Sequence, residues 1–306
     1  MRVRIRSSWC LLFVLSLAAG AVQAAGVAAA RKQIEASMLV TGRVTITLDG
    51  AVAGWTIDER EKLPEVVANL VDAAVPGWRF EPIVVDGKPA HGSARMSLLL
   101  VANRFEDGRF RVSIRDGYFG REAVNIAAQL AREGAGAADD AAGASDQLSA
   151  LDLQPPAYPM RALAGGAHGT VYVVVKVNRD GRVEDAAVEQ VNLRVVGSGV
   201  ELARMREILA KPALAAARKW TFRPPSTGEW ADDESWTARV PVDYRFYDSR
   251  PAGYGQWEAY VPGPRSPVPW QMESLDGFEI APDALIAGQV HQAGTGLKLL
   301  TPIGGG

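Results

Sequence analysis

One pattern occurs twice along this chain of 306 residues, and a repeat on the scale of a domain implies duplication of a folding unit. A glycine opens a strand, an Asp-Gly turn follows, then a helix, and the unit closes on Trp-x-Phe-x-Pro and a last strand. The first copy reads Gly42-Arg43-Val44-Thr45-Ile46, Asp49-Gly50, Trp78-Arg79-Phe80-Glu81-Pro82 and residues 96–100. The second reads Gly169-Thr170-Val171-Tyr172-Val173, Asp180-Gly181, Trp220-Thr221-Phe222-Arg223-Pro224 and residues 240–246. Two modules are expected, each a short antiparallel sheet packed by one or two helices.

The first module is expected over 38–132. Val44, Ile46 and Leu48 alternate with polar residues at the period of a half-buried strand, and Asp49-Gly50 is a hairpin signal. Leu63, Val66, Val67, Leu70, Val71 and Ala74 recur at helical spacing, with Pro64 in the first turn and Pro76-Gly77 as the stop. The closing strand puts Met96, Leu98 and Leu100 on one face. Its other face carries only Arg95 and Ser97 before Leu99, which suits a covered edge. A further strand over 110–114 and a helix over 121–132 complete the module; residues 27–37 before it read as a disordered or helical lead.

Residues 133–154 are rich in Ala, Gly, Asp and Ser and read as a linker. The second module, 155–247, has a short helix over 159–163, strands over 170–178 and 182–191, an extra stretch over 192–211 absent from the first copy, and a helix restarting at Pro212. Gly197-Ser198-Gly199 reads as a flexible loop. The tail, 248–306, is dense in proline, which argues for extended, solvated chain. Its interleaved Tyr254, Trp257, Tyr260 and Trp270 suggest that part of it lies against the second module.

The second copy resembles the C-terminal domain of the TonB family. The family's opening motif stands as Pro156, Tyr158, Pro159, Ala162, Gly169 and Val171, and its closing motif as the Ala-rich run 213–217 into Trp220-Thr221-Phe222-Arg223-Pro224. The first copy lacks the Tyr-Pro opening and is divergent. The resemblance implies an α+β unit that binds an extended segment of an outer-membrane transporter. In that family the unit passes on force from an inner-membrane motor, which requires a membrane anchor and a long spacer ahead of the domain. This chain departs on both counts, because its Pro-rich part follows the domain and its linker is short.

Residues 1–24 read as a cleaved signal peptide. Arg2, Arg4 and Arg6 precede an apolar run over 9–19, and Val22-Gln23-Ala24 supplies small residues at the cleavage positions. A membrane anchor needs about 20 apolar residues, more than this run offers. Periplasmic localisation is therefore expected, with an uncleaved inner-membrane anchor as the alternative. Removal takes the single cysteine, Cys10, and shifts the formal net charge from −2 to −5, so disulfides, thiol chemistry and Cys-ligated metals drop out and nothing points to nucleic acid.

No catalytic residue, metal ligand or cofactor site is expected. His91, His168 and His291 lie in separate segments without ligand spacing, and no Gly-x-Ser-x-Gly elbow exists. Gly165-Gly166 precedes a strand rather than a helix, which excludes a phosphate-cradling loop. Trp78 and Trp220 are expected to pack between helix and sheet, and both Asp-Gly pairs to be turns.

The candidate partner-binding residues lie on the last strand, residues 236–246: Trp236, Arg239, Pro241, Asp243 and Arg245. Proline has no N–H to give a central ladder, so Pro241 marks an edge, and an edge can take an extended peptide. The competing reading is an edge protected by charge against aggregation. The expected function is a TonB-like module that captures an extended segment of an envelope protein, in the first instance a TonB-dependent outer-membrane receptor. A full energy transducer and a structural envelope protein with paired modules are the alternatives, with a homodimer left open.

Overall fold

The computed structural model describes residues 34–85, 87–104, 109–122, 145–246, 252–271 and 280–304. The signal segment, most of the expected lead and most of the expected linker lie outside them.

The chain enters β1 (Glu35–Ile46) already inside the expected lead, and its alternation buries Met38, Val40, Val44 and Ile46. Leu48 falls past the strand and is exposed. The Asp49-Gly50 turn leads to β2 (Val52–Ile57), and α1 (Glu65–Ala74) starts after Pro64 and buries Val67, Ala68, Val71 and Ala74. A 3-10 turn, Val75–Gly77, ends it at the expected proline and glycine. The hairpin of β3 (Ile83–Val85) and β4 (Lys88–Ala90) precedes β5 (Gly92–Arg104) and β6 (Phe110–Glu122). β6 extends well beyond the strand expected over 110–114. A bulge at Leu99/Leu100 of β5 shifts the register, and the ladder with β6 runs on through Asp116 and Gly117. Residues 121–122 thus continue β6, and the rest of the helix expected over 121–132 lies outside the described residues.

In the second half, β7 (Ser149–Asp152), within the stretch read as linker, pairs with β10 (Thr221–Arg223). Between them come α2 (Met160–Gly165), β8 (Gly169–Asn178), β9 (Val183–Leu193) and α3 (Gly199–Ala217). α3 is one continuous helix, which corrects the restart expected at Pro212. Ser198 accepts from Glu201 N and the Glu201 carboxylate accepts from Ser198 N, a capping box that starts the helix early enough to carry Pro212 inside it. Gly197-Ser198-Gly199 is therefore a helix start rather than a loop. The remaining strands are β11 (Ser235–Tyr244), β12 (Glu258–Tyr260) and β13 (His291–Gln292).

The two halves share one strand arrangement. In the first sheet β1 lies between β2 and β5, and in the second β8 lies between β9 and β11, every pairing antiparallel. Phe80 N donates to Gly50 O at 2.8 Å, and Phe222 N donates to Gly181 O at 2.8 Å. Both glycines have positive φ, 79° and 74°, and an added Cβ would sit 1.9 Å from Phe80 O or 2.0 Å from Phe222 O. The Asp-Gly turn is thus the seat on which the Trp-x-Phe strand docks, and only glycine allows that approach. Trp78 and Trp220 are buried in separate cores, as expected; their indole N–H groups donate to Ile303 O and Gln154 O. Trp78, Phe80 and Phe119 meet edge to face.

The tail departs most from its sequence reading, since its described residues run across both sheets. β12 pairs with the start of β1, Val261 bridges Leu193 of β9, β13 pairs with β11, and Gly296 and Leu299 bridge Gly120 and Phe80. Leu99 and Val101 of β5 pack against Ala284, and Val174 of β8 against Val268. These strand residues point away from their main cores, and the tail removes them from water.

Candidate protein-binding edge

β11 pairs with β8 along its whole length, Ser235 opposite Asn178 to Tyr244 opposite Gly169. Its other side carries only the two-residue β13, the outermost strand of this sheet. Thr237 O accepts from Ala293 N at 2.8 Å and Pro241 O accepts from Gly288 N at 2.9 Å, so the odd-numbered residues aim their backbone groups outward. The missing N–H of Pro241 is therefore on the outward side, where it costs the β8 ladder nothing.

Against this edge lies the C-terminal segment. Ala238 faces Gln292 and Arg239 faces His291, an antiparallel ladder of two residues. The corresponding strand of the first sheet is treated differently, because β6 covers the outer side of β5 from Ser93 to Arg104.

The sequence-predicted residues separate into two groups. Trp236 is core: its ring is 4 % exposed and its N–H donates to Trp230 O at 2.8 Å. Arg239 is also 4 % exposed, its Nε and Nη2 donating to the two Glu189 oxygens at 2.7 and 2.9 Å. Arg265 from the tail reaches Glu189 Oε1 at 2.7 Å. Burial pulls the Arg239 pKa below its ordinary value, and the adjacent Glu189 is the main group that offsets it. Pro241 is buried within the strand.

Asp243 and Arg245, by contrast, border a cavity of about 300 Å³ with Thr170, Arg194, Glu258 and Leu285. Arg194 Nη1 contacts Asp243 Oδ1 at 2.6 Å, and Arg245 Nη1 contacts Glu258 Oε1 at 3.0 Å. Arg194 Nε lies 2.8 Å from Glu258 Oε1, close enough for an ion pair although its N–H is not aimed at the carboxylate. Burial opposes the Arg194 charge, but Asp243 and Glu258 outweigh it and hold the pKa above its usual value. These two acids and two arginines compensate one another, so the cavity wall is polar without a large net field.

Sequence reasoning missed Glu189, Arg194, Glu258 and the tail residues that meet them. The signal was present in the strands: Leu98-Leu99-Leu100-Val101 and Val173-Val174-Val175 are apolar at consecutive positions, the mark of strands covered on both faces. Among the described residues no cluster of three His, Asp, Glu or Cys side chains is placed to hold a metal. No described helix is long and apolar enough to cross a membrane.

In this half β8, β9 and β11, with the short β13 outside them, form an antiparallel sheet backed by α3, an α+β arrangement. Residues 154–192, from the end of the linker through β9, match the model of the family described as Gram-negative bacterial TonB protein C-terminal. Over 102 residues the chain is 31 % identical to proteins named Protein TonB in two strains of Xanthomonas campestris pv. campestris, a match covering 33 % of this chain and 40 % of each relative. The chain thus spans less than half the length of these relatives. No solved structure matches it.

Proposed function

We propose that this protein is a periplasmic binding protein of the cell envelope that captures an extended segment of an outer-membrane transporter by adding it as a strand to β11. The observation that carries this reading is the contrast between the two sheets: the closing strand of the first is sealed by β6, while that of the second meets only a two-residue strand. An edge whose carbonyls already accept from an extended segment offers main-chain affinity to another. The TonB-type sequence of 154–192 supports an outer-membrane transporter as partner, and the signal-like sequence of residues 1–24 supports the periplasm as compartment. The matching glycine seats at Gly50 and Gly181 support descent of both halves from one duplicated module, with the partner-binding role kept by the second.

The test uses peptides tiled across the outer-membrane transporters of the host bacterium, with binding read by fluorescence anisotropy. Asp243→Pro removes an outward backbone donor as well as the carboxylate, whereas Asp243→Ala removes the carboxylate alone. With both variants shown to be folded, the proline is expected to weaken binding at least fivefold more than the alanine. Equal effects would exclude strand addition at β11. The tail's coverage of β6, β9 and β11 favours a second reading, a closed structural protein of the envelope; failure of every peptide to bind, with full amide protection of β11, would select it.

A further inference from the structure

The segment that meets β11 is confined between two turns. Gly288 and Gly294 both adopt φ of 79°, and residues 289–293 between them carry the ladder with the edge, joined by the Gly288 N–H. Outside these turns the tail is anchored independently. On one side Ala281 N donates to Asp116 Oδ2 and Arg115 pairs with Asp283 at 2.7 Å. On the other, Leu297, Leu299 and Ile303 belong to the first core and Ile303 O accepts from Trp78 Nε1. Residues 286–293 can therefore leave β11 without unseating either anchor, the two glycines absorbing the change in backbone direction.

We propose that residues 286–293 occupy the β11 edge as an internal stand-in for the partner, and that an extended, uncharged peptide replaces them by starting at the cavity beside Asp243 and Arg245. The proposal rests on β11 being the binding edge. The geometry supplies the starting point: pairing ends at Pro241 O, and beyond it the strand borders the cavity whose far wall includes Leu285 and Ala287, the residues leading into the stand-in. A peptide that pairs first at Asp243 then needs to displace only two ladder residues to extend along the strand.

The chemistry of the partner follows from what it must replace. Gly288-Gln289-Val290-His291-Gln292-Ala293 carries no acid, lysine or arginine. His291 is 6 % exposed opposite Arg239, its ring edge-on to Tyr118 at 4.9 Å, and burial holds its pKa down at about 4. Arg239 is already satisfied by Glu189, so a charged residue placed at this position would be buried without a counterion. Opposite Ala238 the partner needs an amide-type acceptor, since Gln292 Oε1 takes the Leu148 N–H at 2.6 Å.

A reversible lock tests the exchange. Thr237 and Ala293 face each other across the ladder, where antiparallel geometry brings Cα atoms to about 5.5 Å, within disulfide range. The full chain carrying Thr237→Cys, Ala293→Cys and Cys10→Ser is titrated with a fluorescein-labelled peptide of the sequence of residues 284–295. The reduced protein is expected to bind the peptide, oxidation to weaken binding at least tenfold, and renewed reduction to restore it. Equal affinity in both redox states, absence of binding in the reduced state, or failure of the disulfide to form would each overturn the stand-in. Ala293→Pro, which removes the N–H given to Thr237, is expected to tighten binding of the same peptide at least threefold over wild type. Transporter peptides that bind the oxidised and reduced forms alike would overturn the stand-in while leaving capture intact. A reduced protein that takes the 284–295 peptide and no transporter peptide would support the stand-in and reject the proposed partner.

Discussion

At the residue scale, the repeated motif is a set of contacts that tolerate little change. Gly181→Ala forces a left-handed φ on a residue with a Cβ and drives that atom into Phe222 O, so a loss of roughly 2 kcal/mol or more is expected from denaturant unfolding. Trp220→Ala empties a site that is 3 % exposed and frees Gln154 O, with an expected cost of about 3 to 5 kcal/mol. An unchanged midpoint for Trp220→Ala, paired with lost peptide binding, would make the tryptophan a recognition residue instead. Arg239→Met leaves buried Glu189 with Arg265 alone. It is expected to cost about 3 kcal/mol, the low end for breaking a buried pair, since one carboxylate oxygen keeps its partner. Glu189→Gln combined with Arg239→Met should recover part of that loss, because no buried charge then stands alone. Recovery of nothing would show that Arg239 acts through packing rather than charge.

At the element scale, much of the fold was legible because local patterns and tertiary burial agree. The alternation in β1, the apolar face of β8 and the helical spacing of α1 all appear where periodicity places them. The local signal misleads at Pro212, which reads as the start of a helix but lies inside α3. The capped helix start at Ser198 supplies what the proline withholds. Of the candidate site, the strand was readable from its alternation, but the pairing of β13 along its outer side and the fates of Trp236 and Arg239 were not. Alternation assigns a face to a side chain and is silent on what covers that face.

The C-terminal strand also carries a pH dependence. His291 is held neutral, with a pKa of about 4 against 6.5 in the unfolded chain. Between those values the unfolded chain binds the extra proton, so stability is greatest above about pH 6.5 and falls as the pH drops toward 4. The decline approaches roughly 3 kcal/mol. Asp116, whose carboxyl is pushed up by burial, works in the opposite direction, and the readout is therefore the difference between wild type and His291→Gln. Faster amide exchange at residues 291–293 below pH 6, absent from the variant, is the expected result. Parallel pH profiles would mean that His291 does not control the segment.

At the scale of the whole molecule, the tail joins the two sheets into one unit. Glu258 meets Arg194 and Arg245 while its own strand, β12, pairs with β1, and Arg115 of β6 meets Asp283 of the tail. Unfolding is therefore expected to be a single cooperative transition, with tryptophan fluorescence and far-ultraviolet circular dichroism coincident in urea. Two separated transitions would show that the sheets are stable independently and that the tail contacts contribute little.

The alternating strands, the two Asp-Gly turns, the helix of the first copy and the TonB-like motifs of the second were legible in the sequence alone. Each is written in short-range features: a periodicity, a turn glycine, a spaced aromatic. The destination of the tail was decided only by tertiary structure, because its residues 252–304 have no period of their own. They gain order only against surfaces built by strands far away in the chain. The apolar outer faces of β5 and β8 create the demand for a cover, and the open side of β11 creates the demand for a strand. Which segment meets them depends on pairing over long sequence separations, a property that no local window contains.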